Sequence, residues 1–598
     1  MKLRRWAIIA LGLTLTIALV ILVWNKEPTI YPYLFVAAAL ASLLAFAIIG
    51  YCKGSVDKFS TIFLILIVFL FLRNVRLIAV HYGAFEPGDV TYEYAVINIF
   101  AQMDKIFVIP PSAFWSQLTT YSSWPLMHTF SVIFADVLDI KTSLLPMVLP
   151  TVFSLTGFLF LYLIADRLTA DLKLSKVILP LSLLLYAIFP EAVHYGSKFI
   201  RTSFALVFVL AELYLLYKYI SHRDTRILAL IILNAIAIVL SHHYTSFIFT
   251  VYLPVFAGLT FVLVLVSRRV KVKWITWFIK FRKEAAIVGI VGLLSAGAVF
   301  VWWSQVATVI QPLAGEVGTG IAQTTMSGGL SPYIPEPHYP ESLTPPWVSL
   351  LWVRDFLIYI PVLFGFGWLI RKRFKVPDSE GSAAFYFLTL SLICFGAFFL
   401  FEFFISHVAP PRLIILCLPL ITLCCALAYE RLLARGRWQK WLTIAVLVLV
   451  IVSGFLGLEG HRHAPVHLYC SAVSPEVFGQ NMRLTSRHWE LEQFVSEHAL
   501  DQKTTTIFSD NTAALYLLLS SKEYAKIASP LYRLGTGLHD SIARGDDLLV
   551  IDFGARSYRV AWGAITGEEA EEVRGQYRAE LEPNLNRIYT NGFEIWVK

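Results

Sequence analysis

The sequence has few charged residues. Asp, Glu, Lys and Arg make up 15% of its 598 residues, whereas soluble domains carry about 25%. Hydrophobic residues make up 57%. Apolar runs of about 18 or more residues recur along most of the chain, and each is long enough to span the hydrocarbon core of a bilayer. The composition excludes an ordinary soluble protein and predicts a polytopic membrane protein.

Cysteine is also scarce, and sequence motifs for binding nucleotides are missing. Five of the six cysteines lie in or beside apolar runs, where we expect small buried side chains. Only Cys470 lies in the polar C-terminal part, which excludes a disulfide framework or a CxxC metal site there. The strand-like segment "VIDFGAR" has neither a GxGxxG nor a Walker pattern. The net charge of +8 does not indicate nucleic acid, because most Lys and Arg lie in short loops between apolar runs.

The apolar runs predict an all-α polytopic membrane bundle of about 13 transmembrane helices. The N-terminus "MKLRRWAIIALGLTLTIALVILVW" has a basic start and a long apolar core, so we interpret it as a retained first span with a cytoplasmic N-terminus. The candidate spans are residues 6–24, 32–50, 60–80, 144–165, 177–190, 202–219, 226–241, 245–266, 285–303, 350–370, 384–404, 411–429 and 441–458.

One segment, "WPLMHTFSVIFADVLDI" (124–140), decides the topology. If it does not cross the membrane, basic loops such as "SRRVKVKWITWFIKFRKE" all lie in the cytoplasm. The loop 304–348, which has no Lys or Arg, then lies outside. If it crosses, the basic loops lie outside, against the positive-inside rule. Residues 124–140 are therefore expected to be an external re-entrant or interfacial segment, and the sequence leaves these two forms open.

The polar tail predicts a separate extracytoplasmic domain. Residues 1–458 are expected to form the transmembrane domain, with external loops at 81–143 and 304–348, and residues 459–598 a soluble α/β domain. Within the tail, "TTTIFS" and "DLLVIDFG" are typical of buried strands. "NRIYTNGFEIWVK" predicts a hairpin, because Asn591-Gly592 suits a type I′ turn.

Ionisable residues gather in the loops that this topology places outside, and such residues near a membrane tend to be functional. The first external loop, "HYGAFEPGDVTYEY", carries Glu86, Asp89 and Glu93. The later loops "PEAVHYGSKFIRTS", "SHHYTS" and "FEFFISHVAPPRLI" contribute Glu191, His194, Lys198, Arg201, His242, His243, Glu402, His407 and Arg412.

These residues are carboxylates and cations, a combination that suits transfer from a phosphorylated donor. A carboxylate can take the proton of an acceptor hydroxyl, and Arg and Lys can hold the phosphate and stabilise charge on the leaving group. Other roles stay open. Asp89 could cap a helix, and Arg201 and Arg412 could be anchors that reach the lipid headgroups. The histidines suit zinc poorly, since the adjacent pair has unfavourable geometry.

The chain resembles the C-type (GT-C) superfamily of polytopic membrane glycosyltransferases that use polyprenyl-phosphate sugars. The resemblance is carried by the acid in "FEPGDVTYEY", by "YSSWPLMHTFSVIFADVLDI" and "PEAVHYGSKFIR", and by the 304–348 loop and the external tail. It implies Asp89 as base or metal ligand, Glu191 as a second acid and Arg412 as a contact to the lipid phosphate.

The chain also departs from the family. Three spans precede the acidic loop where the family has one, and no "WWDYG" motif occurs, which argues against an oligosaccharyltransferase. A requirement for a divalent cation such as Mg or Mn stays open.

The leading hypothesis is a plasma-membrane glycosyltransferase that moves a sugar from a polyprenyl-phosphate donor to an extracytoplasmic protein, lipid or glycan. Asp89 and Glu191 would be catalytic. The residues expected to bind substrate are Glu93, His194, Lys198, Arg201, His242, His243, His407 and Arg412.

Three alternatives stay open. A polymerase or ligase of lipid-linked glycans differs mainly in its acceptor, and a non-catalytic scaffold would bind lipid phosphate without turnover. A transporter or flippase would be expected to show inverted repeats and charges within its spans. No repeat is evident, and Glu212 and Glu402 are the main intramembrane charges identified.

Overall fold

The architecture of the chain is given by a computed structural model. By contacts between residues it divides into two units, Met1–Arg76 with Pro150–Val466 and Leu77–Leu149 with His467–Lys598. The structure describes residues 12–13, 39–40, 42–44, 46–51, 54–81, 89–103, 106, 120–269, 277–307, 351–375, 382–401, 410–434, 436–455, 506–509, 547–552, 557–560, 563–566, 586–590 and 593–597.

The described secondary-structure elements of the first unit are all helices. Two 3₁₀ segments also occur, Thr142–Leu144 in the second unit and Trp277–Phe281 in the first. In chain order the helices of the two units are α1 Lys58–His81, α2 Asp89–Met103, α3 Leu126–Leu138, α4 Leu145–Asp171, α5 Ile178–Ile188, α6 Pro190–Gly196, α7 Arg201–His222, α8 Thr225–Ser241, α9 His243–Arg269, α10 Arg282–Gln305, α11 Leu351–Lys375, α12 Ser382–Phe401, α13 Pro410–Leu433 and α14 Arg437–Phe455.

Eleven of the thirteen predicted spans coincide with one of these helices. Span 6–24 lies almost entirely outside the described residues. In span 32–50, residues 39–40, 42–44 and 46–50 are described and are helical. Six helical segments among the described residues are long and apolar enough to cross a membrane. They are Leu145–Asp171, Arg201–His222, His243–Ser267, Phe278–Gln305, Ser382–Leu400 and Leu413–Leu433. The structure thus supports a mostly helical membrane protein, and the full number of 13 stays a prediction.

Helices α5 and α13 form the centre of the first unit. All 11 residues of α5 are buried, as expected for a helix that is apolar on every face. Helix α13 packs against α5, α6, α7, α11, α12 and α14. Its contact with α11 is close because Gly365 faces the backbone carbonyl of Cys424.

Polar side chains also join helices inside this unit. Tyr252 on α9 hydrogen-bonds Ser391 on α12 at 2.7 Å. The Glu212 carboxylate on α7 is fully buried and accepts a hydrogen bond from Asn234 Nδ2 on α8 at 2.7 Å. A buried polar group is costly unless it is paired, so these contacts fix which helix faces meet.

The second unit contains α2, α3 and the described strands. Helix α2 packs against α3. Helix α3 spans 13 residues, or about 20 Å, which is shorter than the roughly 30 Å hydrocarbon core. Its length therefore agrees with a segment that does not cross the membrane.

The strands are β1 Thr506–Ser509, β2 Asp547–Asp552, β3 Ser557–Val560, β4 Gly563–Thr566, β5 Asn586–Thr590 and β6 Phe593–Val597. Four of them form one sheet in the order β1-β2-β6-β5. β1 and β2 are parallel, and β5 pairs antiparallel with β6, with Thr590 opposite Phe593. This pairing leaves Asn591-Gly592 as the two-residue connection of the predicted hairpin. The helices predicted for the tail lie outside the described residues, so its α/β class stays a prediction.

Candidate active site

Two breaks in the helical path create the segment 189–201, which we name the corner. Phe189 is extended (φ −70°, ψ 129°) and Pro190 begins α6, because proline disfavours a helical conformation in the residue before it and suits the first position of a helix. Ile200 is extended again (φ −140°, ψ 155°) before Arg201 begins α7. The local sequence therefore places the seven-residue helix α6 between the apolar helices α5 and α7.

Glu191 lies in the first turn of this short helix and is 7% exposed. Helix α6, which carries Glu191, packs against α13. Arg412 lies in the first turn of α13, and its side chain lies outside the described part. Glu191 and Arg412 are therefore carried by two helices that are in contact.

The corner also carries two predicted cations. Arg201 is buried, with 4% of its surface exposed, and Lys198 is half-buried. A snorkelling anchor would extend its guanidinium toward the headgroups, so the burial of Arg201 favours a position inside the bundle. Carboxylate and cations therefore share one short segment of the chain.

His242 joins the first turn of α7, directly after the corner, to the break between α8 and α9. Its Nδ1 accepts a hydrogen bond from the backbone N–H of Thr245 (3.2 Å) and lies 2.9 Å from Thr245 Oγ1. Because Nδ1 accepts, the neutral ring carries its proton on Nε2, which donates to Thr202 Oγ1 at 3.2 Å. The start of α7 and the α8–α9 break therefore meet. The His243 ring lies 4.5 Å from that of His242 and is half-buried.

In the second unit, Asp89 is the first residue of α2, and its side chain lies outside the described part. Glu93 lies one turn later and is buried, and its Oε2 is 2.6 Å from Nε2 of the equally buried His128 on α3. Sequence reasoning assigned Glu93 to substrate binding and did not pair it with His128. The structure shows that this carboxylate joins α2 to α3.

Some predicted residues lie beyond what the structure describes. Glu86, Glu402 and His407 are outside the described residues, as is the side chain of His194. Within the described ranges, no group of three or more His, Cys, Asp or Glu side chains is placed to hold a metal ion. The possibility of a divalent cation stays untested.

Sequence reasoning missed Arg73, which lies within the predicted span 60–80. Its side chain is buried and donates hydrogen bonds to the carbonyl oxygens of Ala187 and Ala192, one on each side of the Phe189–Pro190 break. The signal was present in "LFLRNVRLIAV", because an arginine inside an apolar run is costly and tends to be functional.

Comparisons with known proteins found a likeness to solved structures. No family model and no curated protein matches the chain. Among solved structures, the chain is similar to ArnT from Cupriavidus metallidurans bound to undecaprenyl phosphate, with a TM-score of 0.48 and 9% sequence identity over 90% of this chain and 96% of that chain. At this TM-score the likeness alone establishes no function for the chain.

Proposed function

We propose that the protein is a membrane glycosyltransferase that moves a sugar from a polyprenyl-phosphate donor to a hydroxyl of an extracytoplasmic acceptor. The observation that carries the proposal is the corner itself. There a buried carboxylate, Glu191, shares a short segment with Lys198 and a buried Arg201, and α6 packs against the helix that begins near Arg412. Fixed cations next to a carboxylate suit recognition of a phosphate and catalysis beside it.

The proposed reaction is a single displacement with inversion at the anomeric carbon. The Asp89 carboxylate takes the proton of the acceptor hydroxyl while the oxygen of that hydroxyl attacks the anomeric carbon. The bond from that carbon to the phosphate oxygen breaks, and its electron pair leaves with the polyprenyl phosphate. Lys198, Arg201 and Arg412 would stabilise the negative charge on this leaving group, and Glu191 would serve as a supporting acid or as a metal ligand.

The first test replaces the proposed base. Asp89→Asn removes the proton acceptor while keeping the shape of the side chain, so transfer from labelled lipid-linked sugar is expected to fall by about 10²- to 10⁴-fold. The matched control is Asp136→Asn, which makes the same change at an exposed position of α3. The control is expected to keep the wild-type rate, and both variants are expected to insert and remain folded. Full transfer by Asp89→Asn would reject Asp89 as the base.

A second test addresses the phosphate. Arg412→Gln removes a cation near the start of α13 and is expected to weaken binding of labelled polyprenyl phosphate by about tenfold or more, since a charge-assisted hydrogen bond contributes roughly 1.5–3 kcal/mol. Binding is measured without acceptor, so that it does not depend on turnover. Unchanged binding would remove Arg412 from the phosphate site.

A transporter is the rival hypothesis, since Glu212 is a carboxylate within a span and such charges can mark a substrate path. That carboxylate is fully buried, and Asn234 on the neighbouring helix donates a hydrogen bond to it, which agrees better with helix packing than with a substrate path. Reconstituted liposomes decide between the two. Movement of lipid-linked sugar across the bilayer without any transfer to acceptor would favour the transporter.

A further inference from the structure

Arg73 on α1 is a buried cation held mainly by backbone carbonyl groups. Its Nη1 donates to the carbonyl oxygens of Phe69 (3.0 Å) and Ala187 (3.3 Å), and its Nη2 donates to that of Ala192 (2.9 Å). The guanidinium carbon lies 3.4 Å from the centre of the Phe69 ring. No ion pair of Arg73 with a carboxylate occurs among the residues that the structure describes. Because a buried charge is costly unless compensated, these carbonyls are its main stabilisation.

Two of these carbonyls belong to the two helices that meet at the Phe189–Pro190 break. Ala187 is in the last turn of α5 and Ala192 is in α6. The last four carbonyl groups of a helix have no partner within it and carry its negative partial charge. One planar guanidinium therefore bridges both sides of the break and offsets the negative partial charge at the C-terminal end of α5.

The corner is shaped to admit this side chain. A Cβ at Gly196 would lie 2.5 Å from Arg73 Nε and 3.1 Å from Ser154 Oγ, so only glycine leaves room for the guanidinium. Ser154 Oγ in turn donates to the Gly196 carbonyl oxygen at 2.6 Å. Arg73 and Gly196 also line a cavity of about 20 Å³. The Arg73 side chain thus contacts the corner although it lies more than 110 residues away in sequence.

We infer that Arg73 is a positioning residue for Glu191, because it fixes the break from which α6 presents that carboxylate. The inference rests on the proposed function for the role of Glu191, whereas the contact of Arg73 with both sides of the Phe189–Pro190 break does not depend on that function. Lysine cannot replace arginine here. Its ammonium is a compact point charge, whereas the planar fork of arginine reaches several acceptors at once.

The first experiment separates holding the corner from general stability. Arg73→Lys keeps the buried charge, so the variant is expected to insert and fold. Hydrogen exchange is measured by mass spectrometry on peptides covering 187–200 and, as an internal reference, on peptides within α7. We expect about tenfold faster exchange at the corner and no change within α7. Exchange at 187–200 that is unchanged from the wild-type protein, or that rises by the same factor as exchange within α7, would overturn the inference. This holds whether or not the protein transfers sugar.

The second experiment asks whether Arg73 acts through Glu191. Arg73→Lys is expected to lower kcat by about 10- to 100-fold, since misplacing a reacting group by 1 Å can cost about 10²-fold, while the KM for the lipid donor changes little. In a Glu191→Gln background the same substitution is expected to have no further effect on kcat, because neighbours that act as one unit are not additive. Fully additive losses would show that Arg73 does not act through Glu191.

The third experiment reaches the same contact from the other side and has a matched control. Gly196→Ala places a methyl group against Arg73 Nε and is expected to reproduce both the faster exchange and the lower kcat. Gly157→Ala adds a methyl group to the wall of the same cavity, where it would meet Leu210 at 3.4 Å, an ordinary contact. Wild-type behaviour of Gly196→Ala would contradict the proposed geometry, as would equal damage from Gly157→Ala.

These measurements distinguish the two proposals from each other. If the wild-type protein transfers no sugar, the proposed function fails, and hydrogen exchange still decides whether Arg73 holds the corner. If Asp89→Asn abolishes transfer while Arg73→Lys leaves exchange and kcat unchanged, the function stands and the role of Arg73 is rejected.

Discussion

Gly365 is the position where the packing of α11 on α13 can be tested with a single methyl group. A Cβ at Gly365 would lie 1.9 Å from the Cys424 carbonyl oxygen and 3.3 Å from the Ala428 backbone nitrogen. The distance from this Cβ to the carbonyl oxygen would have to increase by about 1.5 Å to reach the ordinary 3.4 Å. Because both groups belong to helix backbones, no side-chain rotation can relieve the clash. Gly365→Ala must therefore move one helix or tilt it.

Two opposing terms set the size of the effect. Overpacking a close contact costs about 1–3 kcal/mol, and the better helix propensity of alanine returns about 1 kcal/mol. Gly367 lies on the same helix, and a Cβ there would meet nothing within 4 Å, so Gly367→Ala receives only the favourable term. We therefore expect Gly365→Ala to be less stable than Gly367→Ala by about 1–3 kcal/mol. Because α13 also contacts α6, sugar transfer is expected to fall as well.

The assay uses the buried thiols of the first unit. Cys394, Cys417, Cys424 and Cys425 are free and buried, so a maleimide dye added to the purified protein reacts with them mainly after unfolding. The apparent unfolding temperature of Gly365→Ala should lie below those of the wild-type protein and Gly367→Ala. Equal midpoints for the two alanine variants would refute the close approach of α11 and α13.

Two further substitutions test buried polar contacts in the two units. His128→Leu removes one partner of the buried Glu93 carboxylate, so it should destabilise the second unit by about 1–3 kcal/mol. Chemical denaturation followed by limited proteolysis at α2 measures this, and an unchanged midpoint would contradict the pairing. Thr202→Val removes one hydrogen-bond partner of the His242 ring at nearly constant volume, and it should lower the free energy of unfolding by about 1 kcal/mol. A thiol-reactivity midpoint equal to that of the wild-type protein would show that this hydrogen bond contributes nothing to stability.

The helices could be predicted well because their signals are local. Runs of apolar residues gave the spans, and Pro190 marked the break after α5, since proline constrains its own backbone and that of the residue before it. The positive-inside rule needs only loop charges, so the sequence could predict that the polar loops share one side of the membrane. That shared side, and a functional role for the loops, stay predictions.

Individual partners could not be predicted in the same way. Glu93 and His128 are 35 residues apart, and Arg73 is 119 residues from Ala192. No periodicity or spacing in the sequence connects such residues. Arg73 could have been noticed as a charge inside an apolar run, but its partners could not, because they are backbone carbonyl groups, which every residue has and which no sequence pattern distinguishes.

The sequence by itself determined that this chain is helical and apolar enough to lie in a membrane, and where several of its helices end. These properties depend on residues within one or two helical turns of each other. Only the tertiary structure decided which distant groups compensate each buried charge. It showed that Arg73 contacts the backbone of the corner that carries Glu191. The physical reason is that a buried charge must find compensation somewhere in the fold, and packing between distant helices determines where.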